Sequence, residues 1–245
     1  MARYILIITL LSGALCAIAQ DDYPSIDPIA TYYKSNGEQI DSTEYSAPIL
    51  GHFEANPSNT DGWNEYYEWR FSMEGENKEP YLIRYEQDTE YTFTESGTHL
   101  IVCHAIFTQG TDTVAYTDEW WNQEHEGPIR LTISESKLVM PNAFSPNGDQ
   151  KNDIYGAKEG WKSIVEFRAI IFNRWGQKIY EWNDPAGGWD GTHNGTPVKE
   201  GVYFVDVKAK GSDGRQYHIR RDVNLLRGYR EKESSSSSST TPTDN

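Results

Sequence analysis

The chain has 245 residues, 37% hydrophobic and 13% aromatic, with a formal net charge of −15 at pH 7. Phosphate backbones are bound by basic surfaces, so this balance argues against nucleic acid as a partner. The charge is uneven: residues 20–136 hold 5 Lys+Arg against 23 Asp+Glu, whereas residues 137–245 hold 16 against 14. That step predicts a boundary near residue 136 between two small domains, the first with a solvated acidic face.

Residues 1–19 combine a cationic Arg3, an apolar run from Tyr4 to Leu15 and the small-x-small triplet Ala17-Ile18-Ala19, the pattern of a secretory signal cleaved after Ala19. The run is well short of the roughly 20 residues that span a bilayer, so no transmembrane anchor is expected in the mature chain. Leu15 before Cys16 departs from the Gly or Ala usual in bacterial lipoprotein signals. Cleavage after Ala19 leaves Cys103 as the only thiol, so no intrachain disulfide is expected.

Helical periodicity is almost absent from the rest, and short β-branched and aromatic runs recur between Gly, Asn, Asp and Pro clusters. In residues 20–136, "EYYEWRFS" alternates Tyr67, Trp69 and Phe71 with Glu68, Arg70 and Ser72, the period of a half-buried strand. "THLIVCHAIF" is apolar on both faces and reads as a central strand. "PYLIRYE", "TEYTFTE", "DTVAYTDE" and "PIRLTIS" supply further strands, and the whole suits an immunoglobulin-like sandwich. The Tyr-x-Trp-x-Phe strand followed by "TFTESGTHLIVCHAIF" resembles the polycystic-kidney-disease-like repeat, with "RFSMEGEN" in place of that family's acidic glycine loop. That resemblance implies a β-sandwich.

Within the first half, "TDEWWNQEHEG" stands apart from the scaffold. If the stretch is a strand, Trp120 and Trp121 face opposite ways, so at least one is a candidate binding aromatic for a protein or glycan; the alternative is a pair that caps the core.

The second half, 137–228, begins with "KLVMPNAFSPNGDQKNDIY". Asn147, Asp149, Asn152 and Asp153 offer oxygen ligands within a short loop, and calcium takes 6 to 8 such oxygens, but the spacing is not that of an EF-hand. Side-chain-to-backbone Asx turns account for the same composition, so calcium is a possible ligand and no other cofactor is expected. "SIVEFRAIIFN" and "QKIYEW" flank the turn "RWG", "GVYFVDVKA" alternates after a Gly-rich bend, and "YHIRRDVNLLR" closes the domain. Residues 229–245 are a Ser/Thr-rich tail with nothing to bury, which reads as disordered.

Four motifs of this half resemble, in order and spacing, the gliding-motility-associated C-terminal domain, the type B sorting domain of type IX secretion. The first is Asn142, Phe144, Pro146, Asn147, Gly148, Asp149, Asn152 and Asp153; the second is Trp175 and Gly176; the third is Trp189, Asp190, Gly191, Gly201 and Tyr203; the last is Leu225, Leu226 and Arg227. The resemblance implies an immunoglobulin-like sandwich that serves as the export address, read by the type IX translocon and its membrane-bound partner proteins. It also implies that Trp175 and Trp189 lock strand to turn.

The six histidines form no H-E-x-x-H pair, no G-x-S-x-G elbow occurs, and His104 reads as a hydrogen-bonded core or edge residue. Asn194-Gly195-Thr196 matches a glycosylation sequon, and "DST" at 41 and "DTV" at 112 resemble bacterial O-glycosylation sites. The expectation is an all-β protein of two tandem immunoglobulin-like sandwiches after a cleaved signal peptide. Its function reads as non-catalytic: a secreted or surface protein with an unknown protein or glycan ligand. Two alternatives remain, an accessory component of the secretion or gliding machinery and a small hydrolase in the acidic domain.

Overall fold

A computed structural model describes residues 23–41, 44–75 and 79–228; the expected signal peptide and Ser/Thr tail lie outside the described residues, as do Ser42 and Thr43 of the first O-glycosylation match. The first half runs β1 (Ile29–Lys34), β2 (Ile49–Glu54), β3 (Asn64–Met73), β4 (Leu82–Arg84), β5 (Asp88–Phe93), β6 (Gly97–Gln109), β7 (Asp112–Tyr116), α1 (Asp118–Gln123) and β8 (Ile129–Ile133). Strands β1-β2-β5 form one sheet, and β4-β3-β6-β7 form another with β8 also on β6. Strand β6 bonds β3 on one side and β7 and β8 on the other, so its two-faced apolar sequence lies at the centre of its sheet.

The two sheets close over one core. Tyr67, Trp69 and Phe71 turn inward from β3 while the polar residues between them face out, and the inward rings meet Phe53 of β2 and Phe93 of β5. Phe53 stacks edge-on against Phe71 at 5.2 Å, a packing preferred over a face-to-face sandwich. The Trp69 indole donates to the Gln87 carbonyl at 3.0 Å, so its one polar atom is satisfied. Strands β1 and β2 are absent from the sequence reading; "IATYYK" and "ILGHFE" are short, and Gly51 and His52 interrupt the β-branched pattern.

The second half runs β9 (Ala143–Phe144), β10 (Tyr155–Gly156), β11 (Ile164–Phe172), β12 (Lys178–Trp182), β13 (Gly188–Trp189), β14 (Thr192–His193), β15 (Thr196–Pro197), β16 (Gly201–Gly211) and β17 (Gln216–Leu225). Its main sheet has the order β12-β11-β16-β17-β9, with β9 parallel to the end of β17 and the other pairs antiparallel. Tyr203, Val205, Val207 and Ala209 of β16 face a second core with Phe144, Tyr155, Trp182 and Trp189. The whole is all-β, consistent with tandem immunoglobulin-like sandwiches; α1 is its one helix among the described residues.

Strand direction gives the second sandwich two distinct ends. β11 leaves the first sandwich at Ile164 and arrives at the far end with Phe172; β16 starts at the far end with Gly201 and returns at Gly211. The near end touches the first sandwich through Val165, which packs against the first core, and through a backbone bond from Ser96 to Ser212 at 3.2 Å. The family-like motifs gather at the far end, where Gly201 pairs with Leu225 and Leu225 with Phe144.

Candidate recognition surface

The loop at residues 145–153 is built by its own side chains. The Asp153 carboxylate accepts the backbone N–H groups of Asn147 and Gly148 on Oδ1 and of Gln150 on Oδ2, each at 2.8 Å. Asn147 Oδ1 accepts the Asp149 N–H at 3.0 Å and Asp149 Oδ1 the Lys151 N–H at 2.9 Å, two successive Asx turns. The bond from Gly148 leads the group that holds the Asp153 carboxyl below its usual range. Gly148, Gln150 and Asn152 all take left-handed φ, the conformation that Gly and Asn tolerate best. The carboxylate oxygens therefore face backbone donors, and among the described residues no group of three or more His, Cys, Asp or Glu side chains could hold a metal.

From this loop the chain enters the core. Phe144 is buried against Trp189 at 5.2 Å, and Trp189, with no exposed surface, meets Tyr203 at 5.0 Å and donates its indole N–H to Thr192 at 2.7 Å. Asp190 Oδ1 accepts the Thr192 N–H at 2.9 Å, making the turn that presents Gly191. A Cβ on Gly191 would lie 3.0 Å from Pro146 Cγ and 3.2 Å from Arg227, so the first, third and last motifs pack at one point. Arg227 fastens that point: Nη2 donates to the Gly191 carbonyl at 2.9 Å and Nη1 to the Val198 carbonyl. Asn142 accepts the Asn224 N–H at 2.9 Å, while Leu225 is fully buried. Gly201 opens β16 at φ +141, and the Tyr203 hydroxyl donates to Lys199 at 2.8 Å.

Trp175 departs from the expectation. Rather than locking strand to turn, it stands 77% exposed at the tip of the β11–β12 hairpin, with the Arg174 guanidinium 4.6 Å above its ring. Asn173 takes over the locking, its Oδ1 accepting the N–H groups of Trp175 and Gln177, each at 3.0 Å, with Gly176 at φ +78 completing the turn. The pairing of Phe172 with Phe204 places the tip at the same end of the sandwich as the Gly191 cluster, and there burial raises the Tyr203 phenol while Arg227 and Arg174 oppose the rise. Val202, Phe204 and Leu226 also expose apolar surface there, at 49%, 46% and 43%. Sequence reasoning missed Val202 and Phe204, although strict alternation with Tyr203 and Val205 places them on the outer face.

In the first half, "DEWWNQ" is helical, which corrects the strand-based argument for an outward tryptophan. Neighbouring helix residues are about 100° apart rather than opposed, so both rings turn toward the sandwich. Trp121 is fully buried and donates to the Cys103 carbonyl at 2.8 Å; Trp120 is half-buried between Tyr116 and His125. On the outer face, His104 Nε2 lies 2.8 Å from Asp118 Oδ1, and Arg70 bonds Glu68 at 2.5 Å.

Comparison with known proteins agrees with the far-end motifs. The family model described as "CHU_C Type IX secretion signal domain" matches residues 138–220. Among solved structures the chain is similar to dimeric latent PorU from Porphyromonas gingivalis, with 12% identity over 84% of this chain and 20% of that one, at a TM-score of 0.25. The chain thus spans about a fifth of that protein's length. No curated protein matches it.

Proposed function

We propose that a chain whose residues 138–220 form a type IX secretion signal domain is a non-catalytic cargo of that pathway, with the first sandwich as passenger and the far end of the second as the face that is read. The signal places the protein on a route across the outer membrane to the cell surface or the extracellular space, and the secretion machinery recognises it. Among the described residues no helix is long and apolar enough to cross a membrane. The passenger serves as a binding or structural protein for a surface protein or glycan and works without a cofactor.

The observation that supports the far end as the recognised face is the division of labour among its motifs. Asp153, Asp190, Trp189 and Arg227 spend their polar atoms inside the domain, whereas Trp175 keeps its ring in solvent. An exposed tryptophan flanked by an arginine is the kind of group that contributes most when a partner covers it. The reader of this face is the translocon or one of its membrane-bound partner proteins.

The test is fractionation in a type IX-competent host of three forms: the full chain, Trp175→Ala, and a chain lacking residues 137–245. The expected result is surface or medium for the full chain and periplasm for the truncated one. Trp175→Ala should lose most of its surface delivery with an unchanged melting temperature, since exposed substitutions usually shift stability by no more than about 0.5 kcal/mol. Equal surface delivery of the full and truncated chains would refute the cargo reading; normal export of Trp175→Ala alone would move the recognised face elsewhere.

A further inference from the structure

The near end of the signal domain is joined to the first sandwich by a serine cluster built around the buried Ser163 and Ser212. Ser163 has no exposed surface and a left-handed φ of +49, a backbone conformation uncommon for a residue with a side chain. Its Oγ accepts the Ala47 N–H at 3.2 Å and lies 3.1 Å from Ser134 Oγ, and its N–H donates to Ser46 Oγ at 2.6 Å. Its carbonyl accepts the Ser212 N–H at 2.9 Å, and Ser212 in turn accepts from Ser96 of the first sandwich. At the rim, Lys162 pairs with Glu44 at 2.6 Å.

The connecting strap, residues 134–137, is pinned on both sides of Glu135. Ser134 donates its N–H to the Tyr45 carbonyl at 3.0 Å, and Lys137 and Lys162 exchange two backbone bonds of 3.0 Å. Between them Ser136 is buried, donating its hydroxyl to Asp213 Oδ1 at 2.7 Å with Tyr217 OH at 2.9 Å. The strap lies so close to the end of β16 that a Cβ on Gly211 would fall 2.1 Å from Ser136 Oγ. Within the strap Glu135 and Lys137 are exposed, Ser134 is half-buried and Ser136 is buried. A protease must draw an extended segment of backbone into its cleft, and here that segment cannot leave without breaking the serine cluster.

We propose that the two sandwiches are one body whose strap is closed to proteolysis, so that the signal domain stays attached to its passenger after export instead of being removed at the junction. The closed strap stands on geometry alone; retention after export also rests on the type IX reading.

The purified full chain, incubated under native conditions with a glutamyl-specific or a lysyl-specific endoproteinase, separates the possibilities by peptide mass. Cleavage after Glu135 or Lys137 is expected to be at least about 100-fold slower than in a variant with a flexible Gly/Ser insertion after Glu135. The double variant Ser46→Ala/Ser163→Gly removes both hydroxyls while glycine keeps the left-handed backbone, and it should be cut at least about 10-fold faster than the parent with its circular dichroism retained. Cutting of the parent at the insertion variant's rate, or no acceleration in the double variant, overturns the closed strap. A surface-recovered chain with both halves at one mass supports retention, and one that ends near residue 137 overturns it. Failure of export alone counts against the cargo reading and leaves the purified-chain result standing.

Discussion

Asp153 stores part of the second domain's stability in a charge. Its carboxylate accepts three backbone N–H groups, led by Gly148, which holds its folded pKa below the ordinary value. The unfolded chain titrates near 4. The contribution is therefore complete above that value and is lost as the pH falls through the lower folded pKa. Asp153→Asn should lower the melting temperature at pH 7, and the gap to the parent should narrow toward pH 3, because only the parent loses a charged acceptor on acidification. A gap that stays constant with pH would show that the amide serves as well as the carboxylate. Millimolar calcium should leave the parent's melting unchanged, since these oxygens already have donors; a rise would identify a bound cation. Tryptophans make the complementary case. Trp189 is fully buried and Trp175 is 77% exposed, so Trp189→Ala should cost ~3–5 kcal/mol in denaturant melts and Trp175→Ala almost nothing.

At the scale of elements, periodicity carried the reading where strands are long. β3, β6, β11 and β16 span 10, 13, 9 and 11 residues, and in each the alternation or the two-faced run survives over enough positions to be legible. The short β1 and β2 lack that length, and α1 has only six residues, too few for a helical period to emerge from "DEWWNQ". The candidate surface was half legible. Spacing brought out the turn residues, but whether a tryptophan at a turn points inward depends on which neighbour closes the turn, and Asn173 does so for Trp175. The serine junction was invisible, because Ser46, Ser134, Ser163 and Ser212 are scattered in sequence and meet only when both sandwiches are folded. The short helix also has a measurable role. Trp121 satisfies the Cys103 carbonyl at the centre of the sheet. Trp121→Phe keeps the ring but orphans that acceptor, which should destabilise the first sandwich by ~1–3 kcal/mol in equilibrium unfolding. A smaller loss would mean that another donor reaches Cys103.

For the whole molecule the charge step near residue 136 becomes a difference between two joined bodies. The first half carries 23 carboxylates against 5 cationic side chains, so most of its negative charge has no cation to meet. Its pairs, Lys34 with Glu38, Arg70 with Glu68 and Arg130 with Glu74, sit where the cations are exposed, and such pairs contribute ~0–1 kcal/mol each. Repulsion among the remaining carboxylates acts over distances comparable to the Debye length, which shrinks from about 30 Å at 0.01 M salt to about 3 Å at 1 M. Salt therefore weakens a few small attractions and many repulsions at once, and the repulsions prevail. The melting temperature should rise as sodium chloride goes from about 0.01 to 0.5 M, a range over which screening changes most. Because the serine junction joins the halves, both sandwiches should melt in a single calorimetric transition that moves as a unit. A fall in melting temperature would mean that the ion pairs outweigh the repulsion. Two transitions, with only the first-half one moving, would mean that the junction does not couple the sandwiches.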